Sequence, residues 1–318
     1  LLPTSRFPQK WYSRGGHLET IVPRLQRKVA APYVRERINT PDDDFLDLDW
    51  IRQGSPRLAV VTHGFEGSSD RGYIAGTAKI LAANGWDVLA WNCRSCSGEM
   101  NRQYRFYHAG DTGDIHTVVT HALAQKHYPT VALIGYSLGG SQTFRYATDF
   151  PEPLAPSIKT VVAISTPVDI EESMHLLERR SNRMYRKLFL QRLRDKLTEK
   201  AKTYPDRVDL ERLQAIQTFT EFNEYISAPM YGYGSLADYY AGESVLPHLP
   251  KLSMPGLLLN AANDPILGPK CYPSGLAQDH PYFHLEICRN GGHTGFWRPG
   301  EEYTFADKRI INWLNEQL

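Results

Sequence analysis

From residue 34 onward the chain switches between two periodicities. Val34-Arg35-Glu36-Arg37-Ile38-Asn39 and Phe45-Leu46-Asp47-Leu48-Asp49-Trp50 alternate apolar and polar side chains on either side of Pro41-Asp42-Asp43-Asp44, which predicts a β-hairpin. Short apolar runs follow at residues 58–62, 88–91, 131–134, 161–164, 257–259 and 284–288. Between and after them, residues 73–83, 114–125, 141–148 and 301–318 carry helical spacing, the last through Phe305, Ile310, Ile311 and Leu314. Apolar strands alternating with helices predict an α/β fold. Its central sheet is mostly parallel, with an antiparallel N-terminal hairpin and helices on both faces.

The alternation stops between residues 170 and 245. This stretch predicts one helix over 172–202, with Tyr185, Phe189, Leu193 and Leu197 on one face, and a second over 209–222, with Leu210, Leu213, Ile216 and Phe219; Pro205 separates them. We read residues 171–245 as a helical lid inserted into a core made of residues 1–170 and 246–318, placed over the carboxyl edge of the sheet where ligands of open α/β folds sit. Residues 179–202 contain ten Lys or Arg and two acidic residues. A basic amphipathic helix suits peripheral contact with an anionic membrane or lipid surface, and a solvated face shielding apolar stems gives the same pattern.

Composition narrows the class of protein. The chain is 318 residues long with 42% hydrophobic and 22% charged residues, as an ordinary globular protein has, and its net charge of +1 gives no global field for nucleic acid. No apolar run approaches a bilayer span. The start, Leu1-Leu2-Pro3-Thr4-Ser5-Arg6, lacks the order of a signal peptide, so a cytoplasmic location is expected; it also lacks an initiator Met, which leaves room for an upstream segment. Four cysteines suggest a reducing compartment. Cys93 and Cys96 form a C-x-x-C, but Cys271 and Cys288 are too far apart to complete a zinc site, so no metal is expected. The acidic run 42–44 lacks the glycine and distal glutamate of a calcium loop and reads as a turn.

The chemistry centres on Gly135-Tyr136-Ser137-Leu138-Gly139, directly behind the apolar run 130–134 and ahead of a helix. A G-x-S-x-G on a strand-to-helix turn exposes a strained serine above the sheet, which makes Ser137 the candidate nucleophile. A serine needs a base, and the base needs an orienting carboxylate. In this fold class they follow in the order Ser, Asp, His. Asp264 follows the apolar run 257–259, and His293 lies in Gly291-Gly292-His293-Thr294-Gly295 after the last strand. Asp169 competes with Asp264 but fits the order less well. The oxyanion donors expected are the backbone N–H of Leu138 and that of Phe65, in His63-Gly64-Phe65-Glu66-Gly67. Tyr136, Tyr231 and Tyr233 are candidates for the substrate pocket, with Tyr185 and Phe189 of the lid suggesting an apolar acyl site.

These residues resemble the α/β-hydrolase superfamily, and more narrowly its YheT-like branch, which includes abhydrolase-domain esterases and acylglycerol lipases. Gly16-His17-Leu18-Glu19-Thr20-Ile21, Asp44-Phe45-Leu46-Asp47-Leu48-Asp49-Trp50, His63 to Ser69, Cys96-Ser97-Gly98-Glu99, Tyr107-His108, Phe219-Thr220-Glu221-Phe222 and Asp238-Tyr239-Tyr240 carry the resemblance. It implies a serine esterase acting on carboxylic esters with Ser137, Asp264 and His293 as triad, no cofactor, and a small-molecule ester or lipid as partner. Short- to medium-chain acyl esters or monoacylglycerols are the expected substrates. Acyl transfer to an alcohol or thioester cleavage would use the same triad, and a non-catalytic ligand-binding role is the alternative of another class. Two departures stand out: Arg94-Ser95-Cys96 where the branch usually has Arg-Gly-Cys, expected to alter a loop but not the chemistry, and Glu19 where glutamine is usual, to which the sequence attaches no consequence.

Overall fold

The hairpin and the six apolar runs pair into one eight-stranded sheet. The computed structural model describes residues 1–7, 15–150 and 153–318. Its strands are β1 (Val34–Asn39), β2 (Phe45–Ile51), β3 (Arg57–Thr62), β4 (Asp87–Asn92), β5 (Thr130–Tyr136), β6 (Ile158–Ile164), β7 (Gly256–Ala261) and β8 (Phe283–Cys288), in the spatial order β1-β2-β4-β3-β5-β6-β7-β8. β2 runs antiparallel to β1 and β4, and the remaining neighbours are parallel. Parallel strands covered on both sides need apolar side chains on both sides, so these strands read as runs. Leu58, Val60, Leu133 and Val161 enter one core, and Ala59, Val61, Ala132 and Val162 enter the other.

The helices are α1 (Gly16–Gln26), α2 (Gly72–Ala83), α3 (Gly113–Gln125), α4 (Leu138–Asp149), α5 (Ile170–Leu177), α6 (Arg183–Thr203), α7 (Leu210–Ala215), α8 (Phe219–Phe222), α9 (Ala228–Met230), α10 (Leu236–Glu243), α11 (Ser274–Asp279) and α12 (Phe305–Gln317). α2 and α12 cover one face through Ile74, Ala78, Ile310 and Leu314. α3 and α4 cover the other through Ile115, Val119 and Phe144. α12 starts at Phe305, the first residue of its apolar stripe and four residues later than the expected range 301–318, because Thr304 caps it and forms a capping box with Asp307.

Between β6 and β7 the chain is helical, as expected, but the helix expected over 172–202 is two. α5 stops at Leu177, and buried Asn182 donates from Nδ2 to the carbonyls of Leu176 and Pro265, both at 2.8 Å. A side chain that takes up backbone carbonyls in this way competes with helix continuation. The second expected helix also divides, into α7 capped by Asp209 and α8 capped by Thr218. The basic residues of α6 do not form one solvated face. Lys196 pairs with Glu66 at 2.7 Å, Lys200 donates to the carbonyls of Asn101 and Gln103, Arg192 donates to the Glu66 carbonyl, and Arg194 to that of Ile216. Arg180, Arg183 and Lys187 stay exposed.

The acidic turn between β1 and β2 holds a buried cation. Arg94, just past β4, makes bidentate contacts with Asp114 at 2.7 and 2.8 Å and with Asp42 at 2.9 Å, and a further one with Asp44 at 2.8 Å. Asp44 also accepts from Asn101, Arg102 and Gln103. Hydrogen bonds and the Arg94 charge hold Asp42 well below the ordinary carboxylate range against the opposing effect of burial. Ser95 follows in left-handed backbone at φ 60°, a conformation that favours glycine. The serine hydroxyl compensates by binding Asn101 Oδ1 at 2.6 Å and accepting the Asn101 N–H at 3.0 Å. Removing the cation leaves Asp44 and Asp114 buried without it, so Arg94→Met is expected to cost about 3–5 kcal/mol in urea unfolding. A loss below about 1 kcal/mol would contradict this assignment.

Candidate active site

The turn from β5 into α4 admits almost nothing but backbone. Ser137 sits at φ 53°, ψ −125°, and its N–H donates to the Ile164 carbonyl at 2.8 Å. A non-glycine residue in this conformation is strained by about 1–3 kcal/mol and persists only where its surroundings enforce it. They do so here by contact. A Cβ on Gly135 would meet the Gly139 carbonyl, and one on Gly139 the carbonyl of His63. A Cβ on Gly64 would stand 2.9 Å from Ser137 Cβ.

The loops after β7 and β8 bring the other two side chains to this turn. His293 Nδ1 donates to Asp264 Oδ2 at 2.9 Å, and the Ser137 hydroxyl meets His293 Nε2 at 2.8 Å. The Asp264 side chain is fully buried, and its second oxygen accepts the Ile266 N–H at 2.9 Å. The competitor Asp169 is elsewhere: it caps α5 by accepting the Glu172 N–H and faces Lys270. A hydroxyl hydrogen-bonded to an imidazole, itself held by a buried carboxylate, can lose its proton as it attacks a carbonyl carbon.

The His63-Gly64-Phe65 loop lies against the serine turn. His63 is fully buried, and burial pushes its imidazole down to about 4. It is therefore neutral, with Nδ1–H donating to the Gly64 carbonyl at 2.7 Å and Nε2 accepting the Cys93 N–H at 3.0 Å. That pair of bonds fixes the loop carrying Phe65. Leu138 is the first residue of α4, so its N–H has no acceptor within the helix. Cys93 and Cys96 are free thiols. Among the described residues no His, Cys, Asp or Glu group is placed to hold a metal ion.

Two residues to which the sequence assigns no role bind the loops of Asp264 and His293 together. Buried Glu19, on α1, accepts the Gly291 N–H at 2.6 Å and the Asn263 amide at 3.0 Å through Oε2, and the Gly15 N–H at 3.2 Å through Oε1. Its neighbour Thr20 accepts the His293 N–H at 2.8 Å. Asn263 Oδ1 in turn accepts the Gly292 N–H at 3.1 Å. The sequence does contain a signal, a carboxylate in a glycine-rich N-terminal block. Its partners lie about 245–270 residues away in the chain and are visible only in the fold.

Ser137 and His293 open into a cavity of about 810 Å³. Phe65 and Leu138 line it, as do Tyr185, Phe189 and Tyr231. The other two tyrosines proposed for the pocket do not. Tyr136 points to the opposite face of the sheet, where its hydroxyl meets Thr77 Oγ1 at 2.7 Å and its ring packs against Tyr73, because consecutive strand residues face opposite sides. Tyr233 donates to buried Glu243 at 2.9 Å, beside the Glu243–His108 ion pair. Tyr239 of α10 lines the cavity in its place.

Residues 60–298 match the sequence pattern of the α/β hydrolase fold family. The chain is 31% identical over 317 residues, 95% of its length and 91% of the relative's, to "Putative esterase YheT" of Escherichia coli K12. It is 25% identical to "Phospholipase ABHD3" of Homo sapiens, covering 91% of this chain and 73% of that one. It is 26% identical to "Monoacylglycerol lipase" of Saccharomyces cerevisiae, covering 88% of this chain and 61% of that one. The fold is shared with an esterase of Pyrococcus furiosus, at a TM-score of 0.59 with 15% identity over 90% of this chain and 93% of the other. The chain therefore belongs to the α/β-hydrolase family, in its YheT-like branch, and is a serine hydrolase of the kind that acts on carboxylic esters.

Proposed function

We propose that this protein hydrolyses short- to medium-chain acyl esters, monoacylglycerols among them, through an acyl-enzyme on Ser137. The observation that carries the reading is the unbroken line Asp264–His293–Ser137 at one end of a largely apolar cavity. Ser137 Oγ attacks the acyl carbon while His293 Nε2 takes its proton, and the Phe65 and Leu138 N–H groups receive the oxyanion. Collapse returns that proton to the departing alkoxide. Water, deprotonated by His293, then attacks the acyl-enzyme and releases the acid. Asp264 keeps the imidazole in the tautomer that accepts at Nε2. Residues 171–245 serve as the lid, with Leu177, Leu193, Phe219, Phe222 and Met230 enclosing the acyl chain. Glu19 acts as a positioning residue, since it joins the Asp264 and His293 loops.

A second reading concerns where the substrate comes from. Leu25, Met184 and Leu188 line the cavity yet are 68%, 54% and 37% exposed, and Arg180, Arg183 and Lys187 stand exposed on the same stretch as Met184 and Leu188. Apolar side chains flanked by cations fit peripheral contact with an anionic lipid surface. Among the described residues no helix is long and apolar enough to cross a membrane.

Three measurements test these readings. On p-nitrophenyl esters from acetate to palmitate and on monoacylglycerols, Ser137→Ala is expected to lower kcat by about 10⁴-fold or more. Undiminished turnover would sink the mechanism, and an inactive wild type would sink the esterase reading itself. Glu19→Ala is expected to lower kcat by about 10²-fold with KM little changed, whereas Glu19→Gln keeps most activity because its amide oxygen can still accept the Gly291 N–H. Equal losses in the two variants would contradict the positioning role. Wild-type protein is expected to sediment with phosphatidylcholine vesicles containing phosphatidylglycerol and less so with Met184→Asp/Lys187→Glu. Identical sedimentation of the two proteins would refute the lipid contact.

A further inference from the structure

One wall of the cavity is unlike the rest. Arg24 on α1 and Arg71 at the start of α2 both line it, and Arg192 of α6 joins them: Arg71 and Arg192 donate to the same carbonyl, that of Glu66, at 3.5 and 2.9 Å. Arg24 makes no hydrogen bond or ion pair to any described residue, and none of the three pairs with a carboxylate among them. Partial burial and the like charges of Arg192 and Arg71 lower the Arg24 pKa, which marks the three guanidiniums as mutually repelling. Negative charge nearby does not cancel them. The Glu66 carboxylate is taken by Lys196 and the Tyr107 hydroxyl, and Asp70 on the same rim is exposed to solvent. Arg24 is itself exposed and Arg71 and Arg192 are half-buried, so water screens part of their repulsion, and an anionic group bound on this side of the cavity would supply the counter-charge that no described carboxylate provides.

We propose that Arg24, Arg71 and Arg192 form a subsite for a phosphate group carried on the alcohol portion of the ester. The inference rests on the esterase reading above and names its substrate class more closely. Guanidinium forks match the oxygens of a phosphate, and three of them suit a dianion. The amino end of α2, a helix of twelve residues that begins beside Arg71, adds partial positive charge of the same sign. The distance is compatible with one small substrate. The carbonyl on which two of the arginines meet belongs to Glu66, the residue after Phe65, so it lies within about 4–8 Å of chain from the proposed oxyanion donor. With the acyl chain under α5 to α9, a phosphorylated alcohol on the far side of Ser137 would face this wall.

The test compares 1-decanoylglycerol with 1-decanoylglycerol 3-phosphate. The wild type is expected to favour the phosphate ester in kcat/KM by about tenfold or more, and Arg24→Gln and Arg71→Gln to bring that ratio toward one. Lys159→Gln, remote from the cavity, is the control and keeps the ratio. Glycerol 3-phosphate is expected to inhibit p-nitrophenyl ester hydrolysis competitively, and inorganic phosphate only at much higher concentration. Equal inhibition by both with no preference between the two substrates would overturn the proposal, as would Arg variants that lower both activities in parallel. Calorimetric binding of 1-decanoylglycerol 3-phosphate to Ser137→Ala separates the two claims. Binding weakened at least about tenfold by Arg24→Gln supports the subsite even if no ester is turned over, whereas binding unaffected by it refutes the subsite even if ester hydrolysis stands.

Discussion

The left-handed turn at Ser137 is the constraint around which the rest of the molecule is arranged. A side chain at φ 53° is tolerated because β5, α4 and the loop after β3 close on it with no room for rearrangement. Gly135, Gly139 and Gly64 mark the places where those three segments touch, and at each a Cβ would collide with backbone or with Ser137 itself. The sheet supplies the rigidity. β5 lies between β3 and β6, so the serine, the His63 loop and the Ile164 carbonyl that holds the Ser137 N–H all emerge at adjacent strand ends. Strain stored in the turn is thus opposed by hydrogen bonding and packing on both sides.

A second tier of buried polar groups fixes the loops that the sheet alone leaves free. Arg94 gathers Asp42, Asp44 and Asp114, which pins the segment after β4. The Cys93 N–H next to it holds His63, and His63 holds the Gly64 carbonyl. On the opposite side Glu19 spans the loops after β7 and β8. Groups of this kind are expensive to bury, and replacing a whole cluster together by apolar side chains of equal shape would often fold as well. What they add is geometry. Each connects strand-end loops that share no sheet hydrogen bonds, and so holds the Ser137–His293–Asp264 hydrogen bonds at their observed distances.

The strands, the covering helices and the order of serine, aspartate and histidine were readable because each is local: an apolar run, a stripe, a loop directly after a strand. The departures come from interactions that are not local. α1 carries Gly16 and an internal Pro23 and has little intrinsic helical signal; its buried Glu19 ties it to the loops of Asp264 and His293. The break after α5 depends on Asn182 reaching the Pro265 carbonyl, 83 residues away. Tyr136 was misplaced by proximity in sequence to Ser137, when strand alternation alone sends it to the opposite face. Ser95 was expected to alter its loop but not the chemistry, and its positive φ shows the local strain that the serine hydroxyl offsets.

The basic character of α6 is where sequence and structure diverge with most consequence. Read from the sequence, the ten cations of residues 179–202, eight of them on α6, suggest a solvated or lipid-facing surface. Instead Lys196, Lys200, Arg192 and Arg194 reach back into the protein, and Leu190, Leu193 and Leu197 continue the same apolar core that begins under β5. Lifting α6 would strip several charge-assisted hydrogen bonds at once, each worth about 1.5–3 kcal/mol, together with that apolar contact. The helix is therefore a braced roof, and the cheaper way into the cavity is the rim where α1 and the start of α6 both contribute to its lining. There Leu25, Met184 and Leu188 are already in solvent while lining the cavity.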